Sequence, residues 1–158
     1  MERDMSVRER QAWIAISCTL VIWGYYFSAF GLDVASARLH GSDILFRFIA
    51  CMVVSVVVMC GLAIVTGIVS KTNFDAPPDE MARMIEAHAD RIGFRVLETI
   101  IPLGLIGALL STGNIAAAFP ADPAGSTGMI FANAVLFLIV VTELVRESVH
   151  IIGFRMSA

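Results

Sequence analysis

Residues 48–69 read FIACMVVSVVVMCGLAIVTGIV, and this uncharged stretch decides the fold of the chain. A helix needs about 20 consecutive apolar residues to cross the hydrocarbon core of a bilayer, and the stretch satisfies that length. Its valines favour a strand in water. In lipid, however, a helix satisfies its own backbone hydrogen bonds, so the stretch predicts a transmembrane helix.

Three further apolar stretches complete a predicted set of four spans. The predicted segments are a tail at 1–11, span 12–32, an outer loop at 33–43, span 44–69, a cytoplasmic loop with an amphipathic helix at 70–91, span 92–111, an outer loop at 112–128, span 129–149 and a tail at 150–158. Four spans with short connections favour an up-and-down bundle. The predicted fold class is therefore all-α, a single integral membrane domain built as a four-helix bundle.

The composition excludes several classes of protein. The chain has 158 residues, of which 58% are hydrophobic and 16% charged, with a mean hydropathy of +0.81. Soluble domains carry roughly 45–50% apolar and about 25% charged residues, so a soluble globular enzyme is excluded. Intrinsic disorder is excluded because it requires low hydrophobicity. A nucleic-acid-binding protein is excluded because the net charge is −3, whereas such proteins are basic.

The distribution of positive charge predicts the orientation. Nine of the eleven Lys and Arg residues lie in the two tails, the middle loop and the segments that flank them. Only Arg38 and Arg47 lie toward the other side. Lys and Arg accumulate on the cytoplasmic side of membrane proteins. We therefore expect an inner-membrane protein with both termini in the cytoplasm.

The middle loop has the pattern of an amphipathic helix. Acidic Asp79 and Glu80 suit a helix N-terminus. The apolar positions then recur every three or four residues, at Met81, Ile85, His88, Ile92 and Val96. We expect this helix to continue into the third span. Its polar residues Arg83, Glu86 and Asp90 form a candidate surface for a cytoplasmic partner, and the alternative is an interfacial helix that only fixes topology.

Two stripes of ionisable residues lie beside the predicted spans, where such groups are costly. Glu143, Arg146, Glu147 and His150 share one face of the fourth span, and Arg91, Arg95 and Glu98 share one face of the third. The two stripes predict a polar seam. The seam could lock the two helices together, relay protons or hold a polar ligand, or contact another chain.

Other polar and aromatic residues have simple structural interpretations. Asp43 and Arg47, four residues apart, predict an ion pair at the start of the second span. The aromatic residues Trp23, Tyr25, Tyr26 and Phe27 predict an interfacial belt, with a quinone slot as the alternative. Cys18, Cys51 and Cys60 lie in apolar stretches and are interpreted as packing residues.

The chain has no recognisable catalytic motif. It lacks a Gly-rich phosphate loop and the GxSxG and HExxH patterns. His88 and His150 could in principle ligate a haem iron, but no spacing supports that hypothesis. We expect no catalytic residue, no metal site and no cofactor.

Three segments together resemble a family of small, uncharacterised prokaryotic membrane proteins with four spans. The segments are Arg8-Glu9-Arg10-Gln11-Ala12-Trp13 with Gly24-Tyr25-Tyr26; Asp79-Glu80 with Ile85, Ala89, Arg91, Gly93-Phe94 and Val96-Leu97; and Glu143-Leu144-Val145-Arg146 with Phe154-Arg155. The chain has Met81 where the family has arginine, and Phe154-Arg155-Met156 where the family ends in Tyr-Arg-Arg-Gly. The resemblance implies a helix-turn-helix regulator encoded nearby and supplies no catalytic residue.

The expected function is a non-enzymatic binding, regulatory or scaffold module that acts through its cytoplasmic face. Besides the lipid bilayer, the expected partner is a cytoplasmic protein or a second copy of the chain, with no direct binding of nucleic acid. One alternative is a transport or redox component in which Glu98, Glu143 and His150 relay protons or hold a quinone or haem. Another alternative is a passive accessory subunit of a larger membrane complex.

Overall fold

The computed structural model of the protein describes residues 7–70 and 80–157. These residues form four helices: α1 Val7–Ala35, α2 Gly41–Ser70, α3 Glu80–Ala118 and α4 Pro123–Ser157. The described residues contain no strand, and each helix is long and apolar enough to cross a bilayer. The expected all-helical fold is confirmed for the described residues, and by length and composition the four helices suit a multi-pass membrane protein.

The helices extend beyond the predicted spans, and the outer loops are correspondingly short. The expected loop at 112–128 is wrong in extent, because α3 ends at Ala118 and α4 begins at Pro123. Proline fits the first helical position. Asp122 caps α4, since its Oδ1 accepts a hydrogen bond of 2.9 Å from the Gly125 amide.

The expected loop at 33–43 is also shorter, because only residues 36–40 separate α1 from α2. The Arg38 amide donates to the Asp33 carbonyl at 2.9 Å, and the Ala37 amide donates to the Val34 carbonyl at 3.1 Å. This pair of bonds is a Schellman motif. Ala37 has a φ of 53°, a left-handed conformation that glycine usually supplies.

α3 is one continuous helix from Glu80 to Ala118. The amphipathic segment and the third span are therefore a single element. Most of the predicted tail at 1–11 and the beginning of the predicted loop at 70–91, with Asp79, lie outside the described residues. Arg3 and Lys71, two of the positive residues that predict the orientation, also lie outside the described residues.

The helices pack in the spatial order α2, α1, α4, α3. α1 packs against both α2 and α4, and α4 packs against α3. Within residues 7–70 and 80–157, α2 and α3 form no packed interface with each other. The bundle is therefore open along its α2–α3 side.

Neighbouring helices run antiparallel. Trp13 of α1 lies beside Arg155 of α4, whereas Tyr26 lies beside Asn133. We call the end with Val7 and Ser157 the terminal end, and the end with the connections 36–40 and 119–122 the turn end.

Small residues bring α3 close to α4. Gly93 is buried, and a Cβ atom placed there would lie 3.4 Å from Arg146 Cβ. A Cβ atom on Gly153 would lie 2.6 Å from Ile85 Cγ2, and one on Gly104 would lie 2.5 Å from Leu138 Cδ1. Glycine at these positions allows the two helices to approach closely, as is common in membrane bundles.

Much of the outer surface is apolar. Phe46, Val57 and Leu110 are among the exposed large hydrophobic side chains. Contiguous apolar surface of this kind is unfavourable in water and is compatible with hydrocarbon. This surface agrees with the membrane-protein composition of the helices.

Candidate functional site

A cluster of ionisable side chains lies at the terminal end, where α3 meets α4. Arg146 is its centre: Nη2 lies 3.0 Å from Glu143 Oε1 and 3.0 Å from Glu147 Oε1, and Nε lies 3.8 Å from Asp90 Oδ1. Because positions separated by three or four residues share a helix face, α4 places three of these groups together. With His150, these residues form what we call the Arg146 cluster.

Glu147 joins the arginine to a histidine. Its Oε1 accepts from Arg146, and its Oε2 lies 3.3 Å from His150 Nδ1. Both side chains are largely buried. A carboxylate at Nδ1 favours a proton on that nitrogen, which makes Nε2 an acceptor in the neutral ring. His150 Nε2 is buried and has no hydrogen-bond partner among the described residues, so in this tautomer it is an unsatisfied acceptor.

A cleft of about 470 Å³ opens at the same end of the bundle. All four helices line it, with most lining residues from α1 and α4, Met59 and Leu62 from α2 and Glu86 from α3. Its polar lining residues are Gln11, Glu86, Glu147 and His150, and its apolar ones are Ala12, Ile14, Ala15, Met59, Leu62 and Phe154. The cleft therefore includes residues of both α2 and α3, the two helices that form no packed interface with each other in the described residues.

The predicted polar seam is assembled on α4 but not on α3. Glu143, Arg146, Glu147 and His150 contact one another, whereas Arg91, Arg95 and Glu98 are exposed and form no ion pair with another described residue. The face of α3 that packs on α4 instead carries the buried residues Ala82, Ala89 and Gly93. These small residues are spaced seven and four residues apart, which places them on one face of a helix. This spacing is the sequence signal for the face of α3 that packs on α4.

The structure divides the predicted partner surface between two environments. Arg83 is exposed, and Asp90 is exposed while it approaches Arg146. Glu86 is half-buried and lines the cleft. The exposed charged face of α3 is therefore carried by Arg83, Asp90 and Arg91.

A second polar contact lies toward the turn end, inside a cluster of aromatic rings. The Tyr26 hydroxyl donates to Asn133 Oδ1 at 2.6 Å, and Asn133 Nδ2 donates to the Met129 carbonyl at 2.8 Å. The rings around it are Trp23, Phe27, Phe48 and Phe137. Tyr26 is only 2% exposed, so the belt interpretation is wrong for this residue, although Tyr25 is exposed. Sequence reasoning overlooked Asn133, a lone amide in an apolar stretch.

The ion pair expected between Asp43 and Arg47 is also wrong. Arg47 Nη1 instead lies 2.8 Å from Asp33 Oδ2, across the α1–α2 interface. Both side chains of this pair are about one quarter exposed, at 24% and 27%. The reason is that α1 extends to Ala35, which brings Asp33 within reach of α2.

The described residues contain no group of three or more His, Cys, Asp or Glu that could hold a metal ion. His88 is exposed and does not line the cleft, so the structure does not pair it with His150. Cys18, Cys51 and Cys60 are free thiols.

In comparisons with family models, curated proteins and solved structures, the chain matches none of them. Its function is therefore argued from the Arg146 cluster, the cleft and the exposed face of α3.

Proposed function

We propose that the protein is a multi-pass inner-membrane protein with its terminal end in the cytoplasm. The asymmetry of Lys and Arg supports this orientation, because nine of the eleven belong to the predicted cytoplasmic segments. The Arg155 guanidinium lies over the Trp13 ring, 5.7 Å from its centre, at the same end. Tryptophan and arginine are both favoured at the membrane–water interface.

In this orientation the protein acts as a non-enzymatic binding or regulatory module. One observation carries the proposal: α3 packs on α4 through Ala82, Ala89 and Gly93 and leaves the charged residues Arg83 and Arg91 exposed. Contact with α4 and with Arg146 holds this face in a defined position. A surface on a rigid helix is more precise than one on a loop.

The proposed partner is a cytoplasmic protein with a charged surface. Exposed Arg83 and Arg91 dominate this part of α3, so an acidic partner surface complements them. A helix-turn-helix regulator of the kind that the resemblance implies is the first partner to examine. A second copy of the chain and a larger membrane complex, in which the protein would be an accessory subunit, are the other outcomes.

Pull-down from native membranes in mild detergent tests the proposal. We expect a stoichiometric cytoplasmic protein that is lost in the Arg83→Glu, Arg91→Glu double variant. The matched control is Arg38→Glu, an exposed arginine in the connection at the turn end, which should leave capture unchanged. Equal capture by the double variant and the wild type would contradict the proposal.

A transport or redox role is a second candidate, and one observation favours it: Glu147 and His150 line a cleft. Glu98 is exposed on α3, so a proton path through Glu98, Glu143 and His150 would need a contact that the described residues do not form. Loss of ion flux in Glu143→Gln, or a Soret band in the purified protein, would support this role over the binding module.

A further inference from the structure

We propose that the cleft at the terminal end binds a small organic ammonium ion with an apolar body. Arg83 and Arg91, on which the proposed partner surface rests, do not line this cleft, so its ligand does not depend on the protein partner. The proposal rests on the hydrogen-bonding groups of the cleft, on its charge and on its walls.

The described residues of the cleft supply hydrogen-bond acceptors, which a ligand with hydrogen-bond donors would satisfy. Glu147 and His150 line the cleft, and the described part of the lining contains no Lys or Arg. His150 Nε2 is a buried acceptor with no hydrogen-bond partner among the described residues, while Glu147 holds the other ring nitrogen. An unsatisfied buried acceptor is unfavourable, and a ligand N–H would satisfy it. Gln11 contributes a neutral amide to the lining.

The local charge favours a cation. Three carboxylates, of Asp90, Glu143 and Glu147, surround the single guanidinium of Arg146. Arg155, at the same end of the bundle, lies over Trp13 and is not among the residues that line the cleft. A bound ammonium ion would therefore add positive charge where carboxylates are in excess, in a partly buried site where water screens weakly.

The apolar side chains that line the cleft and its volume determine the size and polarity of the rest of the ligand. Ala12, Ile14, Ala15 and Met59 supply apolar surface, and the volume of about 470 Å³ falls within the usual range for small-molecule sites, roughly 300–1,000 Å³. A quinone fits the volume, but among the described lining side chains only the Gln11 amide supplies N–H donors for its two carbonyl oxygens, whereas Glu147 and His150 supply acceptors. The cleft therefore selects an ammonium ion over a quinone.

The test is calorimetric titration of the full chain in phosphatidylcholine nanodiscs, with empty nanodiscs as the blank. The probe is phenethylammonium, and the comparison ligand is its N,N,N-trimethyl analogue. We expect saturable binding of phenethylammonium and about tenfold weaker binding of the trimethyl analogue, because the analogue has no N–H for His150 Nε2. A hydrogen bond to a charged group is worth about 1.5–3 kcal/mol, which is at least a tenfold change in affinity.

Three variants and one control identify the site. Glu147→Gln and His150→Gln should each weaken binding about tenfold. Glu143→Gln is the matched control: Glu143 also pairs with Arg146 and adds to the local negative charge, but it does not line the cleft, so its removal should weaken binding only about twofold. Ala15→Phe fills the cleft and leaves the Arg146 cluster intact, so it should abolish binding without loss of helicity.

Four results would overturn the proposal. The first three are binding by wild type no stronger than by empty nanodiscs, unchanged affinity in Ala15→Phe, and competition by a neutral benzoquinone at equal concentration. A loss of affinity in Glu143→Gln as large as in Glu147→Gln would also contradict it, because the ammonium would then respond to general charge rather than to the cleft.

Discussion

The two ends of the bundle differ in how far their polar side chains are hydrogen-bonded or paired. Toward the turn end, Tyr26 and Asn133 satisfy each other, Asn133 also donates to a backbone carbonyl, and Arg47 pairs with Asp33. At the terminal end, three carboxylates surround Arg146, while Arg146 Nε and His150 Nε2 are buried and have no hydrogen-bond partner among the described residues. Satisfied groups enclosed by aromatic rings indicate a structural role. Unsatisfied polar groups beside an open cleft indicate a binding role.

The largest expected effect tests the structural role of the turn end. Tyr26→Ala removes a fully buried ring and leaves Asn133 without its donor, so we expect unfolding in mixed micelles to become easier by about 3–5 kcal/mol. Tyr25→Ala is the matched control, because its neighbouring side chain is 65% exposed, and it should change stability by less than about 1 kcal/mol. Equal effects of the two variants would contradict the assignment of Tyr26 to the core.

A smaller effect is expected at the terminal end. Arg146→Met leaves largely buried Glu147 without its cation, and breaking buried pairs is destabilising by about 3–5 kcal/mol. Arg146 is 37% exposed, so solvent screening reduces the expected loss to about 1–2 kcal/mol. The control Arg95→Met alters an exposed residue and should change the free energy of unfolding by less than about 0.5 kcal/mol. A larger loss in Arg95→Met would show that the seam includes α3 after all.

The pairing of Arg47 can be measured with double-mutant cycles. Asp33→Asn and Arg47→Gln should show a coupling energy of about 1 kcal/mol, the upper range for partly exposed ion pairs. The parallel cycle with Asp43→Asn and Arg47→Gln should give a value near zero. A larger coupling energy for Asp43 and Arg47 than for Asp33 and Arg47 would instead support the ion pair within α2.

The smallest effect concerns the connection between α1 and α2. Ala37 has a left-handed backbone, so Ala37→Gly relieves strain and should raise the free energy of unfolding by about 0.5 kcal/mol. Ala35→Gly, at the last residue of α1, is the control and should lower it by a similar amount. Destabilisation by Ala37→Gly would contradict the Schellman geometry.

Sequence patterns predicted the four apolar helices because hydrophobic length is a local property. They located helix ends less well. The connection between α3 and α4 is shorter than the predicted loop at 112–128, because Asp122 and Pro123 form a helix start within it. Gly and Pro are common in loops, but Pro also fits the first position of a helix, and Pro123 begins one.

The candidate site was only half predictable. The α4 stripe with Arg146 and His150 follows from helical spacing alone. The α3 face does not, because the charged positions 91, 95 and 98 compete with the small positions 82, 89 and 93 for the contact with α4. Close packing of two helices favours the small residues at their contact. The position of the cleft depends on the order of the helices in space, which is set by contacts between segments distant in the sequence.

The account depends most directly on the side of the membrane that the terminal end faces. We would replace Cys18, Cys51 and Cys60 by alanine, introduce Met156→Cys at the terminal end or Ala121→Cys at the turn end, and label intact cells with a charged maleimide. Both positions are exposed in the structure. We predict that the Ala121→Cys variant is labelled in intact cells and the Met156→Cys variant only after lysis. Labelling of Met156→Cys in intact cells would contradict a cytoplasmic terminal end and the binding role proposed for α3.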